Sequence, residues 1–307
     1  AAIYVNDTPI PHDRASAFGR AYPVTFDLQR VEVLRGPQGV LMGEGAEGGG
    51  VRFITTPPSL TSSTSFVRGE LSSTERGDPS YEMGGVLGGP LSQDKVGVRL
   101  SAWTRHDGGF VDRVNPFNGS VVDANSNWAR TNLVRAAVVF APTAGLQVTP
   151  SIDYQSIHLN DTSAFYTYLS NPAQGILNNG KLLQQWEDDD HNLISIKAAW
   201  TLAGSDTFSS VTSKFHRQAD ALDDDTNNPY RIFPTPNPLG PGYPSSYADA
   251  VAEEMSLQQD SFAQQLLYSS ARPNARVAWS AGADYLHSHY REQQPLATTA
   301  LQEDGNV

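Results

Sequence analysis

Nine segments of this 307-residue chain alternate apolar and polar residues with a period of two, and the connections between them alternate short and long. No other feature narrows the possible folds as far. The clearest segment is 146–154, where Leu146, Val148, Pro150, Ile152 and Tyr154 share one face and Gln147, Thr149, Ser151 and Asp153 the other. Segments 96–103, 134–140, 194–202 and 277–285 repeat the pattern, and 66–72, 81–88, 207–217 and 261–268 carry a weaker form of it. Period two marks a strand whose two faces meet different surroundings. The connections 90–94, 142–145, 203–205 and 272–275 are short and rich in Pro, Gly, Asn, Asp and Ser, residues whose local chemistry favours turning. The others, 106–127, 158–190 and 219–258, run to roughly 20 to 40 residues, well beyond an ordinary loop; only the first, near 75–80, is brief. Short turns at one end and long loops at the other are the arrangement of a transmembrane β-barrel with its long loops outside. A β-sandwich would not sort its loops by length in this way.

Composition limits the alternatives. Hydrophobic residues make up 39% of the chain, and no run approaches the ~20 apolar residues of a membrane helix. Barrel strands escape that test, because lipid-facing and lumen-facing residues alternate along them. The net charge of -12 argues against a nucleic-acid partner, which calls for a basic patch. Charges are costly on the lipid face at mid-membrane, so Arg68, Glu70, Arg99, Arg105, Arg135 and Lys197 are expected to point into the lumen. The chain starts directly in a strand-like segment, with no leader. Nine strands are also an odd number for a bacterial barrel. The expectation is therefore an internal piece of a longer protein.

The second informative stretch is residues 31–57, VEVLRGPQGVLMGEGAEGGGVRFITTP. A short strand leads to a turn at Arg35-Gly36-Pro37, and the cluster Gly48-Gly49-Gly50 feeds a second strand over 51–55. Glycine admits backbone angles and close approaches closed to other residues, and proline fixes its own angle. A phosphate-binding loop is excluded, because no Gly-Lys-Ser/Thr follows and no helix starts after the glycines. The stretch resembles the C-terminal part of the plug domain of TonB-dependent outer-membrane receptors, whose pattern runs VEVLRGPxGxLYGxxAxGGxINIITKxP. Glu32, Arg35, Gly36, Pro37, Gly39, Leu41, Gly43, Ala46, Gly48, Gly49, Ile54 and Thr55 match it, and residues 3–9, IYVNDTP, resemble an earlier plug strand and turn. Met42, Glu44 and Phe53 depart from it without removing a glycine or the Arg-Gly-Pro turn.

The resemblance implies a mainly β chain. Residues 1–57 would be the C-terminal part of an α/β plug domain and 58–64 a linker. Residues 65–307 would be a partial transmembrane β-barrel, the first nine or so antiparallel strands of about twenty-two. It also implies a place in the outer membrane of a Gram-negative bacterium and energised uptake of a scarce ligand, most often a ferric siderophore or similar iron complex. Haem, cobalamin, oligosaccharides and aromatic compounds are variations within the family. The implied partners are the TonB energy-coupling complex, engaged through a segment missing here, outer-membrane lipid, and a small-molecule or metal-chelate ligand. A passive porin or an adhesin barrel is the alternative, for which the plug motif has no use.

Catalytic chemistry finds no motif: the seven His are scattered, and neither a nucleophile elbow nor a paired-ligand motif is present. His287 and His289 share one strand face but lack a third ligand. The acidic runs 188–190 and 223–225, with Asp220, fit no calcium loop and read as solvated charge. No metal or cofactor is assigned. Alternation over 31–34 places Val31 and Val33 toward the plug core, leaving Glu32 and Arg35 to form ion pairs with the barrel wall. For ligand contact, segment 14–23 offers Arg14, Arg20 and Tyr22 as a plug apex. The outer loop after Tyr154 offers Phe165, Tyr166 and Tyr168, since rings and guanidinium groups suit iron chelates or aromatic ligands. The competing reading is that these loop rings pack the loop or join the interfacial girdle.

Overall fold

The computed structural model describes residues 2–12, 18–19, 21–36, 48–202, 206–226, 249–270 and 277–300. The N-terminal part forms a four-stranded sheet from β1 (Ala2–Val5), β2 (Thr8–Ile10), β3 (Leu28–Arg35) and β4 (Gly49–Thr55), in the order β2-β1-β4-β3. β1 and β2 form a tight hairpin whose turn residue Asn6 has φ 54, a left-handed conformation that Asn tolerates. Its side chain accepts the Thr55 N–H at 2.9 Å and donates to Thr55 Oγ1 at 3.0 Å, tying the turn to the end of β4. The described plug residues hold strands and no helix.

The remainder is an antiparallel wall. Its strands are β5 (Thr64–Ser73), β6 (Pro79–Ser92), β7 (Val96–Asp107), β10 (Ala129–Thr143), β11 (Leu146–Leu159), β13 (Trp186–Thr201), β14 (Thr207–Asp224), β15 (Asp249–Ser270) and β16 (Trp279–Gln293), each paired with the next. A further strand, β17 (Leu296–Ala300), follows β16 after Pro295 and pairs with the outer end of β15. These are the nine strands expected, in the expected order. The turns at 203–205 and 272–275 lie outside the described residues.

The wall sorts its side chains by parity. Leu100, Val134, Val138, Phe140, Ile152, Ile194, Ile196 and Trp200 are exposed on the outer face, while Arg99, Ser101, Leu133, Arg135, Gln155, Leu193 and Phe215 are buried on the inner face. The inner face packs on the small sheet: Ile3, Val5, Ile10, Ala21 and Phe53 form one apolar cluster with Leu193 and Phe215 of the wall. Val31 and Val33 share that face, in register with Phe53 and Val51. They are nevertheless 45% and 66% exposed, contrary to their expected place in the core. β3 is the edge strand, and of its residues Leu28 packs against the cluster while Val31 and Val33 lie beyond it.

The long outer loops carry structure of their own. β8 (Asp112–Val114), β9 (Val121–Asp123) and β12 (Asn178–Asn179) make a three-stranded sheet that joins two loops. Val111, just before β8, and Val114, at its end, are fully buried. Asn127 Oδ1 accepts the Phe110 and Val111 N–H groups at 2.7 and 2.8 Å. Across the neighbouring loop, Asp224 accepts the Leu183 and Thr226 N–H groups at 3.1 and 2.9 Å.

Candidate functional site

Among the described residues, a dense set of polar contacts lies where residues 18–19 and 21–27 cross the inner wall. Residues 21–25 have no strand partner, so their backbone groups need donors and acceptors from elsewhere. Wall side chains supply them. Gln155, fully buried on β11, accepts the Val24 N–H at 2.8 Å and donates to the Tyr22 carbonyl at 3.0 Å. Arg135 on β10 donates to the Val24 carbonyl at 3.1 Å and to the Phe26 carbonyl, and pairs with Asp153 of β11. Asp27 ends the segment with φ 53. Its carboxylate accepts Arg99 Nε at 2.9 Å and the Ser101 hydroxyl, both from β7. The Arg99 and Asp27 side chains are only 9% and 4% exposed, so this is a buried, charge-assisted contact of the stronger kind.

Phe26 adds a shape lock. Its ring lies 5.8 Å from Phe66 and 6.2 Å from Trp103, among Val86 and Leu133. A Cβ at Gly84 would sit 2.7 Å from the Phe26 ring, so Gly84 supplies the notch. Earlier in the segment, Phe18 packs on Ala219, Ala221 and Leu257, and Arg217 donates to the Gly19 carbonyl at 2.8 Å while holding Asp189 bidentately at 2.8 and 2.9 Å. The cavity left beside Asp27, Arg99 and Arg135 measures about 30 Å³, room for about one water. Between the wall and the small sheet the fit is looser: a 340 Å³ cavity is lined by Asp7, Arg30, Arg52 and Lys197 among others.

Glu32 does not meet the wall directly. It pairs with Arg30 at 2.7 Å and Arg52 at 3.0 Å, Arg52 pairs with Asp7 at 2.7 Å, and Asp7 reaches Lys197 of the wall at 2.7 Å. Arg35 closes β3 beside Gly36, whose φ of 79 makes the turn. Gly49 has φ 112, and a Cβ there would lie 2.2 Å from the Leu34 carbonyl, so β3 and β4 can meet there only at glycine. Gly48 immediately precedes β4. Pro37, Gly39, Leu41, Gly43 and Ala46 lie outside the described residues, as do Arg14 and Arg20.

The six charges expected in the lumen all face inward. Arg99, Arg135 and Lys197 touch the plug, while Arg68 and Arg105 share the buried Glu82 at 2.6 and 3.2 Å, with Glu70 beside Arg68. Among the vestibule candidates, Tyr22 is 59% exposed. Tyr166 and Tyr168 stack at 5.6 Å, and the Tyr166 ring lies against Gly180, so this pair packs its own loop; Phe165 and Tyr168 keep exposed faces. The acids of the outer segments engage protein donors: Asp188 meets His158 at 2.6 Å, Asp190 the Tyr154 hydroxyl at 3.1 Å, and Asp223 the Gln185 amide at 2.7 Å. His287 and His289 stand opposite Phe262 and Asp260 on the outward face. Among the described residues no group of three or more His, Cys, Asp or Glu converges on a metal position.

Sequence reasoning missed Phe26, Asp27, Gly84, Ser101, Gln155 and Arg217. Wall parity pointed to inward Ser101 and Gln155, but their partners are backbone atoms or residues more than seventy positions away.

Residues 1–50 match the family model described as TonB-dependent Receptor Plug Domain. The pesticin receptors of Yersinia enterocolitica and Yersinia pestis are 35% identical over 94 residues, which is 31% of this chain and 13% of theirs. Among solved structures, the ferric yersiniabactin uptake receptor FyuA from Yersinia pestis matches with a TM-score of 0.73 at 15% identity, covering 98% of this chain and 42% of that one. The pyoverdine receptor FpvA from Pseudomonas aeruginosa matches at 0.70 and 15% identity, over 95% of this chain and 40% of that one. The siderophore receptor PiuA from Acinetobacter baumannii matches at 0.66 and 12% identity, over 99% and 41%. The chain thus spans less than half the length of these receptors.

Proposed function

Since the chain belongs to the TonB-dependent outer-membrane receptors, we propose that its parent protein imports a siderophore–iron complex across the outer membrane by energy supplied through TonB. The observation that carries this reading is the plug held across the inner wall. Buried arginines at 99, 135 and 217 fasten it, and the wall-side fit leaves about 30 Å³ beside Asp27. A passive pore needs an open lumen, and a plug fastened to the wall in this way would obstruct one. Iron–siderophore cargo is supported by the neighbours, whose names record ferric yersiniabactin and pyoverdine as ligands. We assign residues 1–57 to the plug, 58–64 to the linker and 65–307 to the wall. Tyr22, Phe165 and Tyr168, exposed on the plug and on an outer loop, are the described residues offered to ligand; Arg14 and Arg20, expected beside Tyr22 from the sequence, lie outside the described residues.

The test is uptake of radioactive iron by cells expressing the full-length receptor, supplied in turn as ferric yersiniabactin, ferripyoverdine and ferric enterobactin. At least one complex should accumulate in energised cells and fail to accumulate when TonB is removed. Uptake of none of them would withdraw the siderophore assignment, and uptake that persists without TonB would withdraw the energy coupling.

A further inference from the structure

The cavity between the wall and the small sheet differs in charge from the rest of the chain. The chain carries 33 acidic side chains against 21 basic ones. The 340 Å³ cavity, by contrast, is lined by Arg30, Arg52 and Lys197 and by one carboxylate, Asp7. Counting Glu32, which pairs with Arg30 and Arg52, the balance is still three cations to two acids. The volume falls in the lower range of small-molecule pockets.

The cations come from both sides of the interface. Arg30 and Arg52 stand on β3 and β4 of the small sheet, and Lys197 on β13 of the wall. Arg52 is committed to the sheet: it donates to Glu32 at 3.0 Å, to Asp7 at 2.7 Å and to the Asn6 carbonyl at 3.3 Å. Arg30 and Lys197 are engaged less fully. Among the described residues Lys197 donates to Asp7 alone, at 2.7 Å, although an ammonium has three N–H groups. Arg30 donates to Glu32 from Nε and to Gln29 from Nη1, both at 2.7 Å, which is two of its five N–H groups. Both side chains are about half exposed, at 53% and 46%. Gln147 and Thr149 of β11 add neutral hydrogen-bonding groups to the wall side of the cavity.

We propose that this cavity binds a small multivalent oxyanion, of which phosphate is the simplest. Its oxygens accept from Lys197 on the wall and from Arg30 on the plug at once; a guanidinium forks onto two oxygens, and an ammonium acts as a point charge. Among the described residues β3 reaches Lys197 through Glu32, Arg52 and Asp7; the anion joins the two directly. Asp7 is its competitor for Lys197. The wall residues of the cavity face the lumen, so a lipid headgroup on the far side of the wall is not the source. Gln147 stands at the start of β11 and Lys197 near the end of β13, which places the cavity at the short-turn, periplasmic end and makes a free periplasmic anion the occupant. The proposal does not depend on which cargo the receptor carries.

The experiment is a calorimetric titration of the purified full-length receptor with inorganic phosphate, at neutral pH and constant ionic strength, without any siderophore. A single saturable site should appear, and acetate, a monoanion, should not saturate it at the same concentrations. Arg30→Gln and Lys197→Met, both changes at half-exposed side chains, should each weaken phosphate binding roughly tenfold or more, the loss expected for one charge-assisted hydrogen bond. Asp7→Asn should tighten it, because Lys197 is then released from its carboxylate. Arg68→Gln, at an exposed cation elsewhere on the wall, should leave it unchanged. No saturable phosphate binding, acetate binding as tight as phosphate, affinity unaltered by both Arg30→Gln and Lys197→Met, or weaker binding in Asp7→Asn would overturn the site. Failure of the iron-uptake assay would leave these titrations as they are and would bear on cargo and energy coupling alone.

Discussion

Replacing Arg135 with alanine tests the plug–wall interface where one guanidinium holds two plug carbonyls. The Arg135 and Asp153 side chains are 8% and 14% exposed, so the substitution strands a carboxylate in a nearly dry site. Removing one partner of a buried pair costs about 3–5 kcal/mol. The Val24 and Phe26 carbonyls also lose their donor, at about 1–3 kcal/mol for each that water cannot reach. These losses share one guanidinium and are not additive, so a total of about 4–6 kcal/mol is the reasoned figure. At 1.4 kcal/mol per tenfold, segment 18–27 should open roughly 10³- to 10⁴-fold more often. Hydrogen exchange of the full-length receptor, read on peptides covering Tyr22–Val24–Phe26, measures that opening directly. Arg135→Lys should fall between, since an ammonium can pair with Asp153 but cannot fork to two carbonyls. Adding Asp153→Ala to Arg135→Ala should recover part of the loss by removing the stranded charge. Two single losses that simply sum, or protection changed less than tenfold by Arg135→Ala, would refute the reasoning.

Gly84→Val should unseat the Phe26 ring, whose atoms lie 2.7 Å from any Cβ at that position. Overpacking of this kind costs about 1–3 kcal/mol, and cells should become sensitive to vancomycin as the plug loosens. Lys197→Ala should cost under about 1 kcal/mol, because the side chain is 46% exposed and such pairs are worth little; thermal unfolding of the purified receptor would show it. In the outer loops, burial holds the Asp161 carboxyl above its ordinary range, against the Thr162, Ser126 and Asn179 hydrogen bonds and the Arg113 charge that favour ionisation. A folded pKa above the unfolded one gives stability that is complete below the unfolded value and lost as pH rises through the folded value. Exchange protection at Val111 and Val114 should therefore increase as pH falls from 7 toward 4, and Asp161→Asn should remove that dependence.

The strands were legible because lipid, lumen and plug impose opposite demands on alternate residues: Leu146–Tyr154 announced β11, and the inward place of Arg99 and Arg135 followed from parity. The ends of the strands were not. β15 begins at Asp249, twelve residues before the expected 261, because Glu253, Glu254, Gln258 and Gln259 are polar on both faces beyond the lipid band and leave no period to read. β8, β9 and β12 have two or three residues each, too few for any periodicity. In the plug, Gly36 and Gly49 have positive φ at the end of β3 and the start of β4, while Glu32, expected to reach the wall, reaches it through Arg52 and Asp7. Within 18–27 the sequence offered Arg20 and Tyr22 as apex residues but not the anchors, which are the Phe18 and Phe26 rings, the Asp27 carboxylate and backbone atoms held by side chains as much as 198 positions later.

The proposed transport requires that the full-length receptor have a lumen closed by the plug. Conductance of the full-length receptor in a planar bilayer tests it most directly. The account predicts no steady current in the wild type at physiological salt, and flickering openings in Arg135→Ala. A steady, ohmic current through the wild type would contradict it.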